Sequence, residues 1–254
     1  MSKLTKAQAK LHQQACDILT KDVLTEDDKL FVLENWQESA KHINSIAGAF
    51  FTPWGLARDL AIEVPNGRIL DLCAGIGALT FMVTHQASEI VCVELNADYA
   101  EVGRKIVPEA RWIVGDIFSL PDLGRFDAVI SNPPFGNIKR SRNAPRYAGN
   151  SFEYHVIDIA SDLGDYGAFI LPQMSAPFRY SGERHYREDV SDTYRAFVEA
   201  TGIELGMNCG IDTSIYRDQW RGTSPQTEIV VTDFVEARAR RKPEQSDLFL
   251  EAAE

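Results

Sequence analysis

The sequence predicts an α/β fold with a mostly parallel, seven-stranded sheet and helices on both faces, and three observations predict it. Short apolar runs recur from residue 68 onward, each separated from the next by a stretch long enough for a helix. The first run ends in a glycine-containing turn, Asp71 to Thr80. The following runs end in polar residues, as strands do where a parallel sheet offers its carboxyl edge to a ligand. At 254 residues one such domain fits with a helical appendage, whereas two full domains do not.

The elements follow in order. Residues 3–20 place Leu4, Ala7, Leu11, Ala15 and Ile18 on one helical face. Thr25 before Glu26, Asp27 and Asp28 reads as an N-cap with acidic first-turn residues, opening a second helix through Leu30, Leu33 and Trp36. These two helices predict an N-terminal cap over 1–47. A helix opening at Pro53 should bury Leu56 and Leu60. The predicted strands are Arg68–Leu72, Ile90–Glu94, Arg111–Val114, Asp127–Ser131, Ala168–Pro172, Ile203–Met207 and Glu228–Phe234. They make residues 48–235 one α/β domain. Residues 236–254, polar and charged, are predicted to be a disordered tail.

Composition narrows the functional classes. No apolar run is long enough to span a bilayer, and no apolar stretch backs the basic N-terminal residues as in a secretory signal, so a cytoplasmic protein is expected. Cys16, Cys73, Cys92 and Cys209 are scattered without metal-ligand spacing, which predicts reduced thiols and no metal. A net charge of −11 argues against a generally basic nucleic-acid coat. Lys139, Arg140, Arg142 and Arg146, however, lie in a stretch between Asp127 and Glu153 that holds no acid.

The turn after the first strand contains Asp71, Ala74, Gly75 and Gly77. Glycines let the backbone turn sharply and approach a ligand closely. A dinucleotide site would want a third glycine where Thr80 stands and does not need Asp71, and an acid here suits a cationic ligand group better than a pyrophosphate. Glu94 closes the second strand, where a carboxylate can accept from ribose hydroxyls. Asp116 follows the third strand, able to accept from an adenine amino group with Ile117 packed on the ring. Upstream, Gly48 to Pro53 reads as a lid, with Phe51 and Thr52 on the ligand's amino-acid end.

The fourth strand runs into Asn132-Pro133-Pro134-Phe135-Gly136, the most specific feature of the chain. Consecutive prolines fix φ and remove two backbone donors. The Asn132 side-chain oxygen and the Pro133 carbonyl can then both accept from one amino group, leaving its nitrogen more pyramidal and more nucleophilic. Phe135 offers a face on which a planar base stacks.

The order of these motifs resembles the class I, S-adenosylmethionine-dependent methyltransferases of amino groups. It is most similar to the adenine-N6 DNA methyltransferases whose cofactor motifs precede the catalytic one, over roughly residues 48–172. The resemblance implies a Rossmann-like fold and S-adenosylmethionine as cofactor. It assigns Asp71, Gly75 and Gly77 to the methionine end, Glu94 to the ribose, Asp116 and Ile117 to the adenine, and Asn132 through Phe135 to the target base. It implies in-line transfer to a flipped-out adenine. DNA is the favoured substrate and RNA the alternative. Glutamine in proteins fits less well, because those enzymes usually have tyrosine where Phe135 stands and lack a Phe-Thr-Pro lid.

The basic stretch 139–146 follows the catalytic turn directly and is predicted to meet phosphates beside the target. Arg179, Arg184, His185 and Arg187 form a second cluster, mixed with Glu183 and Glu188, that suits either a backbone contact or a solvated loop. About eighty residues remain after Pro172, too few for a large recognition domain. Any sequence reading would use 173–190 and the Tyr216–Thr223 loop with Trp220. In the tail, Gln245, Leu248 and Phe249 belong to a peptide that resembles those docking bacterial replication proteins on the sliding clamp.

Overall fold

The computed structural model describes residues 5–37, 50–221 and 223–241. In chain order the elements are α1 (Lys6–Ile18), α2 (Glu26–Asn35), α3 (Trp54–Ala61), β1 (Gly67–Leu72), α4 (Ala78–Val83), β2 (Ala87–Glu94), α5 (Ala97–Ile106), β3 (Arg111–Val114) and β4 (Phe126–Ser131). There follow α6 (Phe152–Leu163), β5 (Gly164–Pro172), β6 (Phe178–Arg179), β7 (Arg187–Glu188), α7 (Asp192–Thr201), β8 (Gly206–Met207), β9 (Thr227–Asp233) and α8 (Phe234–Arg240).

Seven strands form one sheet in the order β3-β2-β1-β4-β5-β9-β8. Strands β1 to β5 pair in parallel, and β9 runs antiparallel to both β5 and β8. This is the Rossmann-like class I methyltransferase arrangement that the motif order implied. Strand alternation divides the core. Ile69, Cys92, Ala128, Ala168 and Ile229 face α3, α4, α5 and the N-terminal helices. Leu70, Val91, Val129, Phe169 and Val230 face α6, α7 and α8. Strand order reverses between β1 and β4, so a crevice opens beyond their carboxyl ends.

All seven expected strands are present, six within a few residues of their expected bounds. The sixth shortens to Gly206–Met207, because Ile203 and Leu205 sink into the core instead of pairing. Thr25 caps α2 in a reciprocal box: its hydroxyl accepts from the Asp28 amide, and the Asp28 carboxylate accepts from the Thr25 amide. Leu56 and Leu60 are fully buried on α3, which starts one residue after Pro53.

Three expectations are corrected. Leu11 is exposed on α1, where burial centres on Ala15, because only the C-terminal half of the helix packs on the core; Leu4 lies outside the described residues. The tail does not begin at 236. Residues through 240 form α8, which buries Phe234 and Ala237 and ties Arg238 to the Ser161 and Gly164 carbonyls and to Asp165. The basic cluster after β5 is also not a plain loop, since Phe178–Arg179 and Arg187–Glu188 pair as a small antiparallel hairpin. The four cysteines are thiols. Among the described residues no helix is long and apolar enough to cross a membrane.

Candidate active site

A cleft open to solvent lies at the carboxyl ends of β1 and β4, lined by Phe50, Phe51, Thr52, Asp71, Cys73, Ala74, Gly75, Ile76, Ala78, Leu79 and Asn132. Three segments far apart in sequence therefore meet here: the Phe-Thr-Pro segment, the glycine turn and Asn132 at the head of the proline corner, whereas Pro133, Pro134 and Phe135 do not line the cleft. Gly75 and Gly77 adopt φ of +57° and +88°, which a side chain would strain. A Cβ on Gly77 would also press on Trp112 at 3.2 Å. Cys73, at φ +61°, takes the left-handed conformation without being glycine, at a cost of roughly 1–2 kcal/mol.

Two polar atoms decide the chemistry. Asp71 is fully buried; one carboxylate oxygen accepts from Thr80 at 2.6 Å, and the other has no hydrogen-bond partner among the described residues. Burial pushes its pKa up to about 7, with the nearby Glu94 charge acting the same way. Asn132 donates its Nδ2 to the Phe50 carbonyl at 3.0 Å and to Thr52 Oγ at 2.9 Å. A carbonyl can only accept, so the amide is held with its nitrogen toward the Phe-Thr-Pro segment. Its Oδ1 is left buried and without a partner among the described residues. Orphaned buried acceptors are rare, and both belong to residues that line the cleft, where donors from a ligand or from water can meet them.

Around these atoms the corner is braced. Ser131 Oγ donates to the Leu72 carbonyl and links β4 to the glycine turn. The buried Glu153 carboxylate accepts from the Gly136 amide at 2.9 Å and from Ser175 Oγ at 2.7 Å, so it clasps the proline corner and the turn after β5 together. Phe135 is half-buried with its ring 6.5 Å from that of Phe50. Pro133 is buried and Pro134 half-buried beside it.

Other expected residues stand elsewhere. Glu94 does not line the cleft. Its oxygens accept from the Gly75 amide at 2.8 Å and the Asn96 amide at 2.7 Å, and burial raises its pKa. It braces the turn, with lone pairs still available for hydroxyls. Asp116 accepts from the Phe118 amide at 3.0 Å and from Ser141 Oγ at 2.6 Å, so the basic loop already touches it. Ile117 is buried in the core on the α6 face.

The four loop cations separate. Arg146 pairs with fully buried Asp158 at 2.8 Å and with Asp162 at 2.6 Å, and is withdrawn from the expected phosphate contacts. Arg140 is turned inward onto Asn143 and the Gly149 carbonyl. Lys139 and Arg142 are exposed, the latter 3.3 Å from Ser119 Oγ. Trp220 is buried and cannot read a base. Gly48, Ala49, Gln245, Leu248 and Phe249 lie outside the described residues. Sequence reasoning missed Phe50 and Cys73 as cleft residues and Glu153 as the clasp. Glu153 had one visible signal, an isolated acid after a long acid-free stretch, and that position reads equally well as a first-turn helix residue.

Residues 56–145 match the family model of the methyltransferase small domain. The match runs from α3 through the proline corner and takes in the glycine turn and Asn132, while Phe50, Phe51 and Thr52 of the cleft lie before it. Among solved structures, a provisionally assigned RNA methyltransferase from Pyrococcus horikoshii is 15% identical, covering 82% of this chain and 97% of its own, with a TM-score of 0.49. The 23S rRNA methyltransferase ErmE is 14% identical over 70% of this chain and 66% of its own, with a TM-score of 0.48. An S-adenosylmethionine-dependent methyltransferase from Clostridium acetobutylicum is 12% identical over 71% and 91%, with a TM-score of 0.45. No curated protein matched in sequence.

Proposed function

We propose that the protein is an S-adenosylmethionine-dependent methyltransferase of the exocyclic N6 of adenine, with DNA as the favoured substrate. One observation carries the reading. Asn132 has its nitrogen spent on Phe50 and Thr52 and its oxygen unpartnered, in the cleft that also holds the unpartnered oxygen of Asp71.

The residues present fit the cofactor. The Asp71 oxygen suits an α-ammonium group, the glycine turn admits close backbone approach, and Phe51 and Thr52 close the wall above it. Bound there, S-adenosylmethionine supplies a methyl group on a sulfonium, electrophilic enough for an amine to take up without a metal. Glu94 and Asp116 serve ribose and adenine in this reading, Glu94 through its remaining lone pairs. The protein's own work is positioning and polarisation. Asn132 Oδ1 and the Pro133 carbonyl accept the two N–H bonds of the target amino group, which turns its lone pair out of the ring. Phe135, paired with Phe50, gives the base a face on which to lie. Lys139 and Arg142 meet the flanking phosphates.

RNA presents the same amino group and stands as the second reading; the preference for DNA comes from the motif order and the tail peptide, while Phe135 counts only against glutamine. The test is turnover with labelled cofactor on DNA and RNA, followed by nucleoside identification. Asn132→Ala should lose about 100-fold or more in kcat, as when an oriented polar group at the reacting atom is removed, while cofactor affinity changes far less. An active Asn132→Ala enzyme would sink the mechanism. Label confined to RNA would replace the substrate, and label confined to protein would replace both.

A further inference from the structure

Resting on this nucleic-acid reading, we propose that the substrate strand is unpaired around the target base and is held by stacking on exposed Tyr186 and apolar contact with exposed Met174 and Ile215 rather than by a duplex-sized set of phosphate contacts. These side chains are 77%, 50% and 65% exposed. They rise from three separate segments: the turn after β5, the β6–β7 hairpin, and the 3-10 turn Thr213–Gln219. All three lie at the sheet edge that carries the proline corner, because β5 ends there and β9 begins there.

The segments are locked together. Fully buried Glu228 at the start of β9 accepts from Gln173 Nε2 at 2.8 Å, the Tyr180 and Ser181 amides at 2.9 Å, and Ser181 Oγ at 2.7 Å. Ser181 Oγ in turn accepts from the Thr213 amide at 2.9 Å, and Asp212 accepts from the Gly182 amide at 3.0 Å. A buried carboxylate is costly to desolvate, and four donors from the strands' connecting segments offset that cost only while the segments stay in place. Glu153 joins the assembly to the catalytic corner through Ser175 and Gly136. Rigidity of this kind suits a surface that must hold bases in register with Asn132.

Its charge argues for unpaired bases. Arg184, Arg187 and Arg217 are exposed there, and Glu183, Glu188 and Asp218 stand exposed beside them. Arg187 lies 4.0 Å from Glu183, and Arg179 is paired with Asp189. Duplex capture relies on neutralising many phosphates, which a balanced patch on a chain of net charge −11 does poorly. Stacking works without net charge, and it needs base faces that a duplex keeps covered. Tyr186 lies on the Phe178 ring at 5.8 Å, already oriented as a platform.

The experiment uses the whole chain, labelled cofactor and one adenine-containing sequence as single-stranded DNA, duplex DNA and single-stranded RNA. We expect kcat/KM on a single strand at least tenfold above the duplex, and the DNA and RNA arms identify which strand is used. Tyr186→Ala and Met174→Ala should each raise KM for the strand about fivefold or more, with cofactor affinity unchanged. Binding should weaken with salt at a logarithmic slope of about −2, the value for some three phosphate contacts to a single strand. A duplex turned over as fast as the single strand overturns the proposal, as does an unmoved KM in the Tyr186→Ala/Met174→Ala pair. A wild-type protein that binds cofactor yet labels none of the three overturns the nucleic-acid reading itself, an outcome distinct from the others.

Discussion

Asp71 is the residue whose chemistry reaches furthest. Its ordinary pKa of 3.8 rises to about 7, because burial penalises the charged form and Glu94 lies near. A raised carboxylate binds its proton more tightly in the folded state. Its contribution to stability is therefore present below about pH 4 and is lost as pH climbs toward 7. A cationic ligand group reverses the preference, since it favours the carboxylate. Cofactor affinity should accordingly rise about tenfold per pH unit between pH 5 and 6 and level off above 7. Titration calorimetry in buffers of different ionisation enthalpy checks this, with net proton release expected on binding near pH 6. Asp71→Asn should bind more weakly and lose the pH dependence. A wild-type affinity that is flat from pH 5 to 8 would mean that Asp71 does not meet the cation.

At the scale of elements, the basic loop 137–151 shows what the sequence could and could not convey. Its place after the corner was legible, because the Asn-Pro-Pro-Phe turn and the acid-free run are contiguous. The division of labour among its cations was not, since the partners of Arg146 lie 12 and 16 residues further on along α6. That helix holds the loop down. Asp158 also accepts from the Arg146 and Tyr147 amides, and His155 accepts from the Ala144 amide while its other ring nitrogen meets the Gly149 carbonyl. Strands were legible as apolar runs, whereas α8 and the β6–β7 hairpin are rich in charge and read as tail and loop. Arg146→Ala leaves a fully buried carboxylate oxygen short of a partner. It should cost about 1–3 kcal/mol, a fall in unfolding midpoint of roughly 3–10 °C. Its effect on nucleic-acid affinity should be slight at temperatures where it is folded. Arg142→Ala should do the opposite, weakening the nucleic-acid complex while the melting curve stays in place. Calorimetry and binding on the same samples separate the two roles.

Across the whole molecule, the N-terminal helices are built into the cofactor cleft rather than merely covering the sheet. Trp36, just past α2, packs on Phe51 with ring centres 5.6 Å apart and on Tyr99 of α5 at 5.8 Å, while Phe51 and Tyr99 meet at 5.1 Å. His12 of α1 closes the cluster against Trp36. From the far end of the chain, Arg221 donates to the Leu33 and Trp36 carbonyls, which caps the last turn of α2. The Phe51 ring thus stands between the helical cap on one side and Gly75 on the other, where a Cβ would lie 3.5 Å from it. A cleft wall held by a neighbour loses definition when the neighbour is removed, so Trp36→Ala should act twice. The lost aromatic volume should destabilise the protein by about 3–5 kcal/mol. The loosened Phe51 should weaken cofactor binding by about two- to tenfold in the protein that remains folded. Trp36→Phe keeps a ring in the cluster and should restore most of both. The decisive measurement is cofactor affinity well below the variant's melting transition. If Trp36→Ala binds cofactor as the wild type does there, the cap stabilises the fold without shaping the site, and Phe51 is held by Tyr99 and the glycine turn alone.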